Sequence, residues 1–163
     1  MAHEVVNIIA VAGTVLLGIA ASSEDPYTGT WTLDVAASGG ESRTHRLTIQ
    51  VDGNQESYRS ELAWPDGRRQ VTRYIAKYDG AEYPSETVIR ESADAPAVRR
   101  DDTVILRKIE ERTRERHWMQ GGRLVRILRR VVSPDGRTLR SQVVLVDEAG
   151  EETLTSTLVF AKR

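Results

Sequence analysis

The stretch that decides the fold is SPDGRTLRSQVVLVDEAGEETLTSTLVF, residues 133–160. It contains two segments in which apolar and polar residues alternate, and a glycine turn precedes each segment. One face of the two segments carries Leu139, Ser141, Val143, Leu145, Leu154, Ser156, Leu158 and Phe160. A period of two is typical of a β-strand with one side against an apolar interior and the other in water. The stretch therefore predicts an antiparallel hairpin.

Glycine turns recur along the rest of the chain at nearly the same spacing. They stand at positions 53, 67, 80, 122, 136 and 150, so that successive intervals are 14, 13, 42, 14 and 14 residues. Four of these glycines follow an aspartate, and Asp-Gly supplies the positive φ that tight hairpin turns require. About fourteen residues accommodate one strand and its turn but no crossover helix. The interval of 42 must hold two more turns, which we place at 92–100 and 111–114.

The pattern predicts an all-β domain, an up-and-down antiparallel meander of about ten strands (eight to ten). An open meander of this length would leave two long unpaired edges, so we expect closure into a barrel. The predicted strands are residues 29–35, 43–51, 55–64, 69–78, 82–90, 102–110, 113–119, 123–132, 137–147 and 152–161.

An uncharged apolar run, VVNIIAVAGTVLLGIAA, precedes this domain at residues 5–21. Its length and its small terminal residues are typical of a secretory signal peptide, although His3 and Glu4 stand where a signal normally carries Lys or Arg. A signal anchor that holds the protein to a membrane is an alternative, because 17 residues lie at the short limit for spanning a bilayer. A buried apolar helix of the domain is a third. We expect residues 1–23 to be a signal peptide or anchor, residues 24–163 to be the domain, and the location to be periplasmic or secreted.

Charge and cysteine content exclude several functions. The 23 basic and 24 acidic residues give a formal net charge of −1, whereas nucleic-acid-binding proteins usually carry a basic excess. The chain has no cysteine, which excludes disulfides, thiolate catalysis and cysteine metal sites. The three histidines, His3, His45 and His117, show no metal-ligand spacing, so we expect neither a metal nor a cofactor.

The first predicted strand contains Gly29-Thr30-Trp31-Thr32-Leu33, and this Gly-x-Trp resembles the lipocalin and fatty-acid-binding-protein (calycin) superfamily. The resemblance implies that Trp31 closes the base of the barrel and that a basic residue packs on it, for which Arg163, Lys162 and Arg130 are candidates. The remainder, including the segment YDGAEYP at 78–84, looks like small secreted bacterial lipocalin-like proteins of unassigned function.

Two features depart from the fatty-acid-binding proteins. Those proteins place a helical pair between their first two strands, and residues 36–42 leave no space for one. They also carry Arg-x-Tyr on the last strand for a ligand carboxylate, and residues 153–161 contain no such motif.

Polar residues within the apolar rows are the candidate ligand contacts. Small serines there would leave space for a ligand, and a buried arginine would need an anionic partner. Arg129 shares a face with Val125, Ile127 and Val131, but Leu124, Leu128 and Val132 occupy the other face, so both orientations stay open. The candidate ligand-binding residues are Tyr58, Ser60, Tyr74, Trp118, Arg129, Ser141 and Ser156.

The sequence favours a carrier of a small, mainly apolar or amphipathic ligand held inside the barrel. A non-enzymatic interaction module, with a barrel filled by its own side chains, is the alternative. A small barrel enzyme that uses an interior His or Tyr is the third possibility, and the absence of a nucleophile elbow disfavours it. The sequence does not predict an oligomeric state, and it predicts membrane contact only through residues 5–21.

Overall fold

A computed structural model describes residues 24–40 and 43–163, so the predicted signal peptide or anchor lies outside the described residues. The described part consists of ten antiparallel β-strands and contains no helix, hence none that could span a membrane. The strands are β1 (Gly29–Leu33), β2 (Thr44–Asp52), β3 (Gln55–Ala63), β4 (Arg69–Lys77), β5 (Glu82–Arg90), β6 (Val98–Glu110), β7 (Thr113–Gln120), β8 (Arg123–Val132), β9 (Thr138–Val146) and β10 (Glu152–Lys162).

Each strand pairs with its sequence neighbours, and β1 pairs with both β2 and β10, which closes the barrel. Trp31 lies opposite Leu47 on one side and Lys162 on the other. The expectation of a closed all-β meander is thus confirmed. Between β1 and β2, residues 35–39 form turns rather than helices, consistent with the short connection in the sequence.

Strand β6 differs most from the predicted boundaries, because it begins at Val98 rather than at residue 102. Residues 99–102, which follow Val98, are charged and pair with β5, where the guanidinium of Arg99 lies 3.1 Å from the carboxylate of Glu86. Apolar alternation therefore does not reveal this part of the strand.

The Gly-x-Trp of β1 has a direct physical reason. Gly29 has a φ of +140°, a backbone conformation that residues other than glycine rarely adopt. A Cβ at this position would lie 2.6 Å from Cε of Lys162, whose ammonium lies 5.4 Å from the centre of the Trp31 ring. Lys162 is therefore the basic residue that packs on the tryptophan.

The segment before β1 closes the same end of the barrel. Tyr27 is completely buried, and its hydroxyl donates to the carbonyl oxygen of Arg130 at 2.7 Å, with the carbonyl oxygen of Arg112 also 3.0 Å away. Its own carbonyl accepts a hydrogen bond from Nε1 of Trp31 at 2.9 Å. Because these contacts satisfy the buried polar groups, one end of the barrel is a packed base.

Candidate functional site

A buried carboxylate lies above the packed base. Glu56 of β3 is completely inaccessible and accepts hydrogen bonds from the hydroxyls of Tyr74, at 2.5 Å, and Tyr78. Nη2 of Arg130 lies 3.0 and 3.2 Å from its two oxygens. Burial alone would raise the pKa of Glu56, but Arg130 and the two hydroxyls outweigh it and hold the pKa below its usual range.

Arg114 of β7 is the second buried cation and also has an anionic partner. Its side chain is 1% exposed and contacts the carboxylate of Asp25, in the segment before β1. The guanidinium also lies 4.2 Å from the centre of the Tyr27 ring and donates to the Tyr78 hydroxyl at 2.9 Å. The two charged pairs therefore belong to one network that fills the lower half of the barrel.

The other half contains a partly open cavity of about 200 Å³. Apolar and aromatic side chains form much of its wall, and polar groups converge on it from several strands. The lining consists of Arg43, His45, Leu47, Tyr58, Ser60, Leu62, Gln70, Thr72, Arg116, Trp118, Arg126, Leu128, Arg130, Ser141, Val143, Ser156, Leu158 and Phe160. This set contains four arginines and no aspartate or glutamate.

Arg116 of β7 is the central cation of the cavity. It is 6% exposed, and its guanidinium lies 4.5 Å from the ring centre of Tyr58, 5.4 Å from that of Tyr74 and 5.5 Å from that of Trp118. Burial opposes its charge, yet the neighbouring Tyr58 and Tyr74 raise its pKa. Nε and Nη1 are buried without a hydrogen-bond partner in the described part of the chain. Arg116 is thus a charged group with unused donors.

Two further groups beside Arg116 respond to its charge. Burial, together with the charges of Arg43 and Arg116, lowers the pKa of His45 to about 4, so this ring is neutral at pH 7. Nε2 of His45 lies 2.8 Å from Oγ of Ser60, and Nδ1 has no partner among residues 24–40 and 43–163. Burial and the charge of Arg116 likewise lower the pKa of Arg126, although Asp102 acts in the opposite direction.

The structure brings five of the seven predicted ligand contacts to the cavity, namely Tyr58, Ser60, Trp118, Ser141 and Ser156. Tyr74 is buried beside them, stacked on Tyr58 with ring centres 4.8 Å apart, but its hydroxyl is engaged by Glu56. These placements are compatible with ligand contact, and the binding roles themselves stay predictions.

The inward orientation considered for Arg129 is wrong. Its side chain is 38% exposed and forms ion pairs with Glu115 at 2.9 Å and Glu152 at 2.7 Å. The neighbouring Arg130 points inward instead. Strand β8 carries apolar residues on both faces, so its hydrophobicity does not identify the inner side.

Sequence reasoning missed Arg116 and Glu56 as interior polar groups. It considered Arg130 only as a partner of Trp31, and it allowed for an interior His without identifying His45. A signal for one of them was available, because Arg116 stands two residues before Trp118 and therefore shares its face. The high charge of residues 110–116 concealed this alternation. Within the described residues, no group of three or more His, Asp or Glu side chains is placed to hold a metal ion.

A structure of a fatty-acid-binding protein from Schistosoma mansoni, solved in complex with arachidonic acid, is similar to this one. The alignment covers 86% of this chain and 98% of that protein, with a TM-score of 0.53 and 16% sequence identity. At this identity the likeness shows the fold alone, a closed ten-stranded antiparallel barrel. No protein-family model matches the sequence, and no curated protein matches it.

Proposed function

We propose that the protein is an exported carrier that binds a small, mainly apolar ligand inside its barrel. The observation that carries this proposal is the cavity of about 200 Å³ in the upper half of a closed barrel, beside a wall that includes Leu47, Leu158 and Phe160. Concave pockets with apolar walls and a few converging polar groups are typical of small-molecule sites. The similar fatty-acid-binding protein was solved with a lipid, which supports the same class of function at the level of the fold.

The size of the cavity constrains the ligand. Pockets for drug-sized ligands typically have volumes of about 300–1,000 Å³. A cavity of about 200 Å³ is smaller, because the Glu56 network and the base occupy the lower half of the barrel. The proposed ligand is therefore smaller than the drug-sized ligands of such pockets.

Export is the second part of the proposal and rests on sequence alone. The uncharged run at residues 5–21 and the polar turn that follows it support a cleaved signal peptide or an anchor. Intact-mass analysis of the protein from the envelope and from the soluble cytoplasmic fraction tests this part. A full-length mass confined to the cytoplasmic fraction would contradict it.

Binding is tested by titrating the full-length protein with small neutral apolar probes, such as indole and benzyl alcohol, in a calorimeter. We expect saturable binding at one site, with a negative heat-capacity change because apolar surface is buried. Absence of uptake of these probes and of single-ring anions would contradict the carrier function. Such a result would favour the interaction module. The filled lower half of the barrel supports that alternative.

The contact between His45 and Ser60 supports a second candidate function, acyl transfer with Ser60 as nucleophile. The 2.8 Å distance between Nε2 and Oγ is suitable for a serine and its general base. However, no carboxylate orients Nδ1 within the described residues, and a pKa of about 4 makes His45 a weak base at neutral pH. Hydrolysis of p-nitrophenyl acetate that is lost in both Ser60→Ala and His45→Gln would favour this candidate over a carrier.

A further inference from the structure

The charges inside the barrel do not balance. Among the described residues, Arg114 is paired with Asp25, and Arg130 is paired with Glu56. Arg116 is also buried, at 6% exposed, but has no carboxylate partner in the described part of the chain. A buried charge without a partner is costly, and an anion that enters the cavity would reduce that cost.

We propose that the ligand carries one compact anionic group that binds Arg116, on an apolar body about the size of one aromatic ring. This inference rests on the carrier function proposed above and specifies its ligand class. A single-ring carboxylate satisfies both conditions.

The aromatic neighbours of Arg116 stabilise its charge but do not take the place of an anionic partner. Tyr58, Tyr74 and Trp118 lie 4.5 to 5.5 Å from the guanidinium, and cation–π contacts of this kind stabilise the charge through the π-system of the rings. They leave the N–H donors available, and Nε and Nη1 of Arg116 have no acceptor in the described part of the protein. The three rings therefore hold a charged donor in place and leave its Nε and Nη1 without an acceptor among the described residues.

Other cavity groups add to the positive potential. Nε and Nη1 of Arg130 are also buried without a partner among the described residues, although its Nη2 is engaged by Glu56. Arg126 lines the cavity as well, and its pKa is lowered by burial and by Arg116. Because His45 is neutral at pH 7, the ring can offer Nδ1 to a ligand without adding a charge. An anion is thus the ligand type that relieves the repulsion between these arginines.

The volume of the cavity limits the size of the ligand's apolar body. A cavity of about 150 Å³ suffices to bind benzene. The present cavity, at about 200 Å³, holds one ring and a carboxylate within the barrel, whereas a long acyl chain would have to extend through its open side. The ligand class therefore differs from the arachidonic acid of the similar structure.

Calorimetric titration of the full-length protein at pH 7 tests this inference. The probes are benzoate, phenylacetate and 3-phenylpropionate, each paired with its neutral amide, and palmitate as a long-chain comparison. We expect each carboxylate to bind about 10- to 100-fold more tightly than its amide, as a charged hydrogen bond provides. Palmitate should bind more weakly than the single-ring acids.

Arg116→Met should remove the preference for the carboxylates and retain binding of the amides. Arg129→Met, which removes an outer-face arginine from the adjacent strand, should leave the preference unchanged. Arg116→Lys keeps the positive charge and should retain part of the preference, so it serves as the test if Arg116→Met does not fold.

Equal binding of acid and amide by the wild-type protein, or an unchanged preference in Arg116→Met, would overturn the anion inference and leave the carrier function standing. Binding of palmitate as tight as that of the single-ring acids would overturn the size limit. Failure of every probe, neutral and charged, would contradict the carrier function itself.

Discussion

Nη2 of Arg130 lies 3.0 Å from Oε1 of Glu56, a residue 74 positions earlier in the chain, and both side chains are buried. The pair divides the interior of the barrel. Below it, Tyr27, Trp31 and Arg114 fill the base, and above it lies the cavity. Arg130 thus contributes its Nη2 to the packed network and also lines the cavity.

Removing the Glu56 charge should destabilise the fold strongly. Glu56→Gln leaves the buried Arg130 without its anion, and breaking a buried pair in this way costs about 3–5 kcal/mol of unfolding free energy. Glu61→Gln is the matched control, because Glu61 lies on the same strand in an exposed pair with Arg59 and should cost no more than about 1 kcal/mol. Urea unfolding measures both, and similar losses in the two variants would contradict the role assigned to the Glu56 network.

His45 should make stability depend on pH between about 6.5 and 4. Its pKa falls from 6.5 to about 4 in the folded state because of burial and the charges of Arg43 and Arg116, so the unfolded chain binds the proton more readily in this window. Stability is therefore fully present above pH 6.5 and decreases by up to about 3 kcal/mol as the pH approaches 4.

Urea unfolding at several pH values above 4.5 measures this decrease. In that range Glu56, whose pKa is lowered, contributes little to the pH dependence of stability. His45→Gln keeps a hydrogen-bonding group near Ser60 but cannot titrate, so its stability should depend less on pH. An identical pH profile in the two proteins would show that His45 is not responsible.

Gly29→Ala should destabilise the closed base. The φ of +140° is accessible almost only to glycine, and we expect a loss of about 1–3 kcal/mol from the backbone. The added methyl also meets the flexible end of Lys162, which would move away from Trp31. Thermal unfolding of Gly29→Ala with and without Lys162→Ala separates the two causes, and complete rescue by the second substitution would contradict the backbone explanation.

Filling the cavity should prevent ligand uptake without unfolding the protein. Ser141 lines the cavity and is 3% exposed, so Ser141→Leu places an apolar side chain in space that the ligand would occupy. Gln142→Leu, one position along on the opposite face, is the control. Calorimetry with indole should show at least tenfold weaker binding only in Ser141→Leu, and unchanged binding there would place the ligand site elsewhere.

The architecture was predictable because glycine turns and apolar alternation repeat along the chain. Asp-Gly pairs fix where strands stop, and the observed strands begin and end close to the predicted positions except at β6. There, Arg99 and Glu86 form a polar ladder that contains no apolar alternation.

The interior charges were harder to predict. Strand β8 is apolar on both faces, and a bulge opposite Trp118 and Met119 shifts its register, so the inward side cannot be assigned by counting from the turn. Arg130 rather than Arg129 faces inward for this reason. Glu56 could not be identified from the sequence because its partners lie far away in the chain. Tyr74 is on β4, Tyr78 follows that strand, and Arg130 is on β8, so that only the folded barrel brings them together.

The most direct test of the account is native mass spectrometry of the protein in the form in which its own cells hold it, purified gently, with solvent extraction of whatever is bound. We predict one additional mass at unit stoichiometry, which extracts as a small single-ring or comparably compact organic acid and is absent from Ser141→Leu. A clean unliganded mass that persists after incubation with indole and the single-ring acids would contradict the claim that the barrel interior is a ligand site.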